Sequence, residues 1–165
     1  MSFREIHYTF GPETTLREIQ KKYSERQMIL YRSVSTESRF MLLDVSGKES
    51  IFKGGLSYQV YQKFNFTTSN WDALLEMRYL TLDNEEQKVF HSIVDSWDRK
   101  DARPFGLDST IITKSEKHNF EYMMLNFWEG EEDFMDWDNA TDNALAKFGH
   151  AGNKGALVTV YKKVG

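Results

Sequence analysis

FEYMMLNFWEGEEDFMDW, residues 120–137, changes its hydrophobic period at one acidic turn, and that change decides the fold. From Phe120 to Trp128 nearly every position is apolar, so both faces of this segment are expected to be covered, as in a central strand. Gly130 breaks the run. Glu131, Glu132 and Asp133 then place negative charge where a helix N-terminus carries partial positive charge, and Phe134, Trp137, Leu145 and Phe148 supply apolar positions behind it. The segment reads as a core strand followed by a helical cover over residues 131–148, either continuous or interrupted near Thr141, with Gly149 as its C-cap.

Outward from that unit the periods alternate regularly. Residues 72–82 (DALLEMRYLTL) read as a strand with Ala73, Leu75, Met77 and Tyr79 on one face. A helix follows, opened by Asp83 with Glu86 three residues on and striped by Val89, Phe90, Ile93, Val94 and Trp97. Strands are expected at residues 107–114 and 156–164. The order is βαββαβ, the ferredoxin-like unit of an α+β protein. The N-terminal part repeats it in abbreviated form: a strand at 6–10, a helix at 14–23, two strands across a turn at 35–38, and a short helix at 56–64. A degenerate βαββα half thus precedes a complete unit, the boundary falling at the polar stretch 65–70 (NFTTSN) between lobes 1–66 and 71–165.

Composition narrows the function classes. With 165 residues, 40% apolar and 15% aromatic, the chain has enough apolar material for one domain or two small fused lobes. A net charge of -4 offers no general attraction to nucleic acid or anionic lipid, so neither partner is expected. Cysteine is absent, which excludes disulfides, thiolate catalysis and cysteine metal sites and fits the cytoplasm. Arg4, Glu5 and Asp44 interrupt the apolar stretches, leaving no signal-peptide core and no run of about twenty apolar residues.

The aromatic strand ending in Trp128-Glu129, followed by Phe134-Met135-Asp136-Trp137, resembles the antibiotic-biosynthesis-monooxygenase superfamily and, within it, the Isd-type haem-degrading monooxygenases. Residues 72–82 resemble that family's first strand. Upstream, IHYTFG (6–11), the segment 28–52 and LSYQVYQKF (56–64) resemble the extra half of two-lobed relatives, the longer haem monooxygenases of bacilli and the TRAP signal-transduction proteins. The ending KFGHAGNKG (147–155) is most similar to the TRAP group. This resemblance implies a dimeric α-β barrel. Because single-lobe members pair through their sheets, it also implies a monomeric intrachain pseudo-dimer or a homodimer.

Chemistry follows from the same resemblance. Isd-type enzymes take haem as both substrate and oxygen-activating centre, beneath the second helix, using an asparagine of the first strand, a helical tryptophan and an iron-ligating histidine. Trp137 matches the tryptophan. Met77 stands where the asparagine belongs, replacing an amide donor by a weakly accepting thioether. Lys147 falls where the histidine belongs, and a protonated ammonium is a poor iron ligand. His150, one turn further on, is the nearby imidazole that a slipped register brings to iron; otherwise it is a solvated loop residue. The resemblance therefore leaves two readings: a monooxygenase acting on haem or another hydrophobic small molecule, or a non-catalytic TRAP-like regulatory or stress-associated binding protein.

Other constellations carry less. Met123, Met124 and Met135 read as core filling. Oxygenation of a quinol-like substrate without a cofactor would need polar groups at an apolar pocket, for which Arg78, Asn126 and His118 are the candidates. His7, His91, His118 and His150 have no paired metal-ligand spacing, and the acidic run from Glu129 to Asp138 lacks the pattern of a calcium loop. Gly149, Gly152 and Gly155 follow a helix rather than a strand, which excludes a dinucleotide fingerprint.

Overall fold

The computed structural model describes residues 3–118 and 120–165. Eight antiparallel strands close a barrel: β1 (Glu5–Gly11), β2 (Met28–Ser33), β3 (Phe40–Asp44), β4 (Leu56–Phe64), β5 (Leu74–Thr81), β6 (Leu107–Ser115), β7 (Glu121–Trp128) and β8 (Leu157–Lys163). Helices α1 (Glu13–Lys22), α2 (Asn84–Val94) and α3 (Glu131–Asn139) lie between β1 and β2, β5 and β6, and β7 and β8. Around the barrel the order is β1-β3-β2-β8-β5-β7-β6-β4. Taken by halves, the first four strands run β4-β1-β3-β2 and the last four run β8-β5-β7-β6, so each half has its own fourth, first, third and second strands in that order. The halves join where β2 pairs with β8 and where β4 pairs with β6.

The C-terminal half has the expected βαββαβ order, and β7 is covered on both faces. Met123, Leu125 and Phe127 enter the barrel, while Tyr122, Met124 and Trp128 face the outer layer under the helices. Asp83 caps α2 by accepting from the Glu86 amide, and Glu86 accepts in return from the Asp83 amide, as the spacing predicted.

Two expectations are corrected. Residues 56–64 are the strand β4, not a helix, so the N-terminal half is βαβββ and has no second helix. Tyr, Val, Tyr and Phe in this segment fit a pleated surface better than a helix. A bulge between Val60 and Gln62 interrupts the strand's alternation. Tyr58 and Val60 pack in the barrel, whereas Phe64, which an unbroken alternation would also turn inward, packs outside. The second correction concerns the cover helix, which stops at Asn139 instead of running to residue 148. Leu145 and Phe148 still bury themselves in the outer layer, carried there by turns. Gly149 is accordingly not a helix cap. It sits in a tight turn where His150 and Asn153 exchange backbone hydrogen bonds, and a Cβ at Gly149 would lie 2.0 Å from the Asn153 carbonyl oxygen.

The two barrel ends differ. A 3-10 turn at Thr68–Asp72 brings Trp71 over one end, where Phe3, Phe66 and Phe127 pack around it with ring centroids 5.0 to 6.0 Å apart. That end is corked by aromatic rings. At the other end Tyr58 and Tyr79 line an opening, and Tyr8 is buried behind them.

Candidate functional site

Two regions hold chemistry: the outer face of β5 beneath α3, and the open barrel end. Alternation along β5 sends Leu75, Met77 and Tyr79 into the barrel and leaves Glu76, Arg78 and Leu80 facing the other way. Met77 therefore lies across the sheet from Trp137, and the two do not meet. What meets Trp137 is Arg78, whose guanidinium stands 4.8 Å from the ring centre.

Glu76 is wholly buried and organises this face. Its Oε1 accepts from Trp128 Nε1 at 2.9 Å and from Asn126 Nδ2 at 3.1 Å, and its Oε2 accepts from Arg78 Nε at 2.6 Å. Arg78 also donates to Asp138 of α3, and Thr110 donates to Asn126 at 2.8 Å. Burial works against the guanidinium's charge, but Glu76 and Asp138 outweigh it and its pKa is raised. Trp137, half-buried, packs tilted against Trp128 at 5.5 Å and edge-to-face against Trp97 at 6.1 Å between ring centres. The space between sheet and helix is thus filled by a satisfied ion-pair network and three indole rings.

Lys147 is exposed beside Phe148, beyond the end of α3, and does not face the sheet. A groove of about 320 Å³ remains beside α3, lined by Val34, Phe134, Met135, Asp138 and Val158, and no histidine lines it. Met123 is barrel core and Met124 outer core. Among the described residues no group of three or more His, Asp or Glu could hold a metal ion.

The second region is a cavity of about 460 Å³ at the open barrel end. Tyr8 and Tyr79 hydroxyls lie 2.6 Å apart, Tyr58 donates to Glu121 Oε2 at 2.7 Å, and His150 Nε2 lies 3.1 Å from Glu121 Oε1. Burial, with neighbouring tyrosine and carboxylate charge, pushes the phenols of Tyr8 and Tyr58 well above the usual range. Burial also raises Tyr79. They stay neutral donors near neutral pH. The tight turn after Gly149 fixes His150, with Ala151 in a left-handed conformation (φ 49°) and its amide donating to Thr81 Oγ1 at 2.9 Å.

The structure therefore separates the sequence candidates. Trp137, Arg78 and Asn126 share the cleft under α3, His150 and His118 line the barrel-end cavity, and Met77 and Lys147 join neither group. Sequence reasoning missed Glu76, Glu121 and the three tyrosines. The signal for Glu76 was present: two opposite charges two residues apart in a strand share a face, and on a strand buried on both sides they must pair.

Three solved structures share this arrangement over nearly their whole length. A ferredoxin-fold protein from Listeria monocytogenes, described as related to antibiotic-biosynthesis monooxygenases, superposes with a TM-score of 0.75 at 22% identity, covering 100% of this chain and 96% of that one. A haem-degrading enzyme from the same organism gives 0.71 at 21%, covering 96% and 99%. A staphylococcal regulator of pathogenesis gives 0.72 at 10%, covering 98% and 100%. The chain has the fold of these three proteins. No protein-family model matches its sequence, and no curated protein matches it significantly. No helix among the described residues is long and apolar enough to cross a membrane.

Proposed function

We propose that this monooxygenase-like protein binds a small molecule without using haem. The observation that carries this reading is the Glu76, Arg78 and Asp138 network, which occupies the cleft where the Isd-type resemblance would put a porphyrin. Removing either partner to admit one would leave the other as an uncompensated buried charge. Met77 and Lys147, the positions matched to the family's asparagine and histidine, lie away from that cleft, so restoring those residue types would rebuild no haem site. The fold itself leaves the choice open, since the same architecture carries a haem-degrading enzyme and a regulator.

Two further features belong to this reading. The halves 1–66 and 71–165 act as two lobes of an intrachain pseudo-dimer, which the matching strand order on each side of the barrel supports. The cysteine-free sequence supports a cytoplasmic setting. The test is a haemin titration followed by addition of a reductant under air. The expected result is no saturable shift of the haem absorption band and no bile-pigment product, for the native chain and for Met77→Asn with Lys147→His alike. Stoichiometric binding with turnover in the native chain would refute the reading.

A further inference from the structure

The open barrel end carries the features of a binding site that differs from the helix-covered cleft. Its walls are aromatic and aliphatic: Phe10, Tyr58 and Tyr79 surround the opening, and Leu56 and Leu157 stand about half-exposed on the rim with nothing packed over them. Polar groups converge inside. The Glu121 carboxylate is already engaged by Tyr58 and His150, which leaves it a fixed partner of the wall. Thr159, on the face of β8 that also turns Tyr161 into the barrel, has a buried hydroxyl oxygen with no hydrogen-bond partner in the chain. A buried hydroxyl is ordinarily satisfied, so an orphan at the wall of a cavity points to a group that enters from outside.

The charge at the rim selects the kind of group. Arg39 lines the cavity with its guanidinium 4.4 Å from the centre of the Phe10 ring. Among the described residues the arginines paired with carboxylates are Arg17, Arg26, Arg78 and Arg99, and the paired lysines are Lys88, Lys162 and Lys163. Arg39 and the neighbouring rim residue Lys117 are in neither set. A guanidinium held against an aromatic ring uses none of its N–H donors on a carboxylate and keeps them available for one. Glu116 also lines the rim but is solvent-exposed, where its repulsion is screened. The volume admits an aromatic acid of one ring and has room for a larger one.

We infer that the open barrel end binds an aromatic carboxylic acid, its ring against Tyr58, Tyr79 and Phe10, its carboxylate on Arg39, and a polar ring substituent within reach of Thr159. This rests on the reading that the protein binds a small molecule. It is tested separately from haem use, since a null haemin titration leaves it untouched.

The experiment is calorimetric titration of the full chain with para-hydroxybenzoate and with para-hydroxybenzamide, which has the same shape but no charge. The expected result is saturable binding of the acid at least tenfold tighter than the amide. Arg39→Gln, an exposed substitution that leaves the core intact, removes that preference. Leu157→Glu, which sets a negative charge on the apolar rim, weakens the acid at least tenfold while thermal unfolding stays unchanged. Equal binding of acid and amide, binding that Arg39→Gln does not alter, or no saturable binding of the acid would each overturn the inference.

Discussion

At the scale of single residues, the structure turns on which side of β5 each side chain takes. Glu76 is a buried carboxylate whose two oxygens meet three donors, and Arg78 depends on it for charge balance. Glu76→Gln keeps the shape but leaves the guanidinium deep in the outer layer with only Asp138, which is one-third exposed. The expected loss is about 3–5 kcal/mol, read as a lowered urea midpoint. Replacing both partners, Glu76→Leu with Arg78→Met, is expected to recover most of it, because two apolar groups leave no charge stranded. A Glu76→Gln midpoint equal to that of the native chain would mean that the network contributes nothing. The same alternation explains what the sequence left illegible. Matching Met77 to a family position is an alignment along the chain, and a one-residue difference in register moves a side chain to the opposite face of a sheet. Glu76 and Arg78 were visible as a pair of opposite charges in a strand, but nothing in the sequence named Asn126, Trp128 and Asp138 as their further partners.

Among the elements, the strongly periodic ones were legible and the irregular ones were not. The α2 start follows from Asp83 and Glu86 alone, and β7 from a nearly continuous apolar run. Segment 56–64 misled because a bulge breaks its period-two alternation, and no local signal announces a bulge without its partner strands. The end of α3 misled because Leu145 and Phe148 are apolar for the outer core, whichever backbone carries them there. The turn at residues 149–153 now has a structural role of its own: it presents His150 to Glu121. Gly149→Ala would drive a methyl into the Asn153 carbonyl, so the turn must open. The expected cost is about 1–3 kcal/mol in thermal unfolding, together with altered His150 imidazole signals in an NMR spectrum as its contact with Glu121 is lost. An unchanged melting temperature with unchanged His150 signals would show that the turn has slack that this geometry lacks.

For the whole molecule, barrel closure removes the edges that each half would otherwise present. In the C-terminal half the outer strands are β6 and β8, and in the full chain β4 and β2 cover them, β6 along residues 110–115 and β8 along residues 161–163. These closures join strands far apart in sequence, so they form only when both halves are present and ordered. A fragment spanning residues 71–165 would keep its helices and most of its outer core but expose two unpaired edges and the barrel-facing side of its sheet, including Leu75, Met77, Ile111, Leu125 and Phe127. An open apolar face with free edges is strongly driven to pair. The geometry already contains the solution, because each half joins its own second strand to the other's fourth. Two copies of the fragment can therefore pair β6 with β8 twice and close a symmetric barrel. The expected outcome is a dimer of fragment 71–165 in light scattering coupled to size exclusion, displaced to a one-to-one complex when fragment 1–66 is added. A folded, monomeric fragment at micromolar concentration would show that the C-terminal half does not need a partner sheet, and the two-lobe reading of this barrel would fail with it.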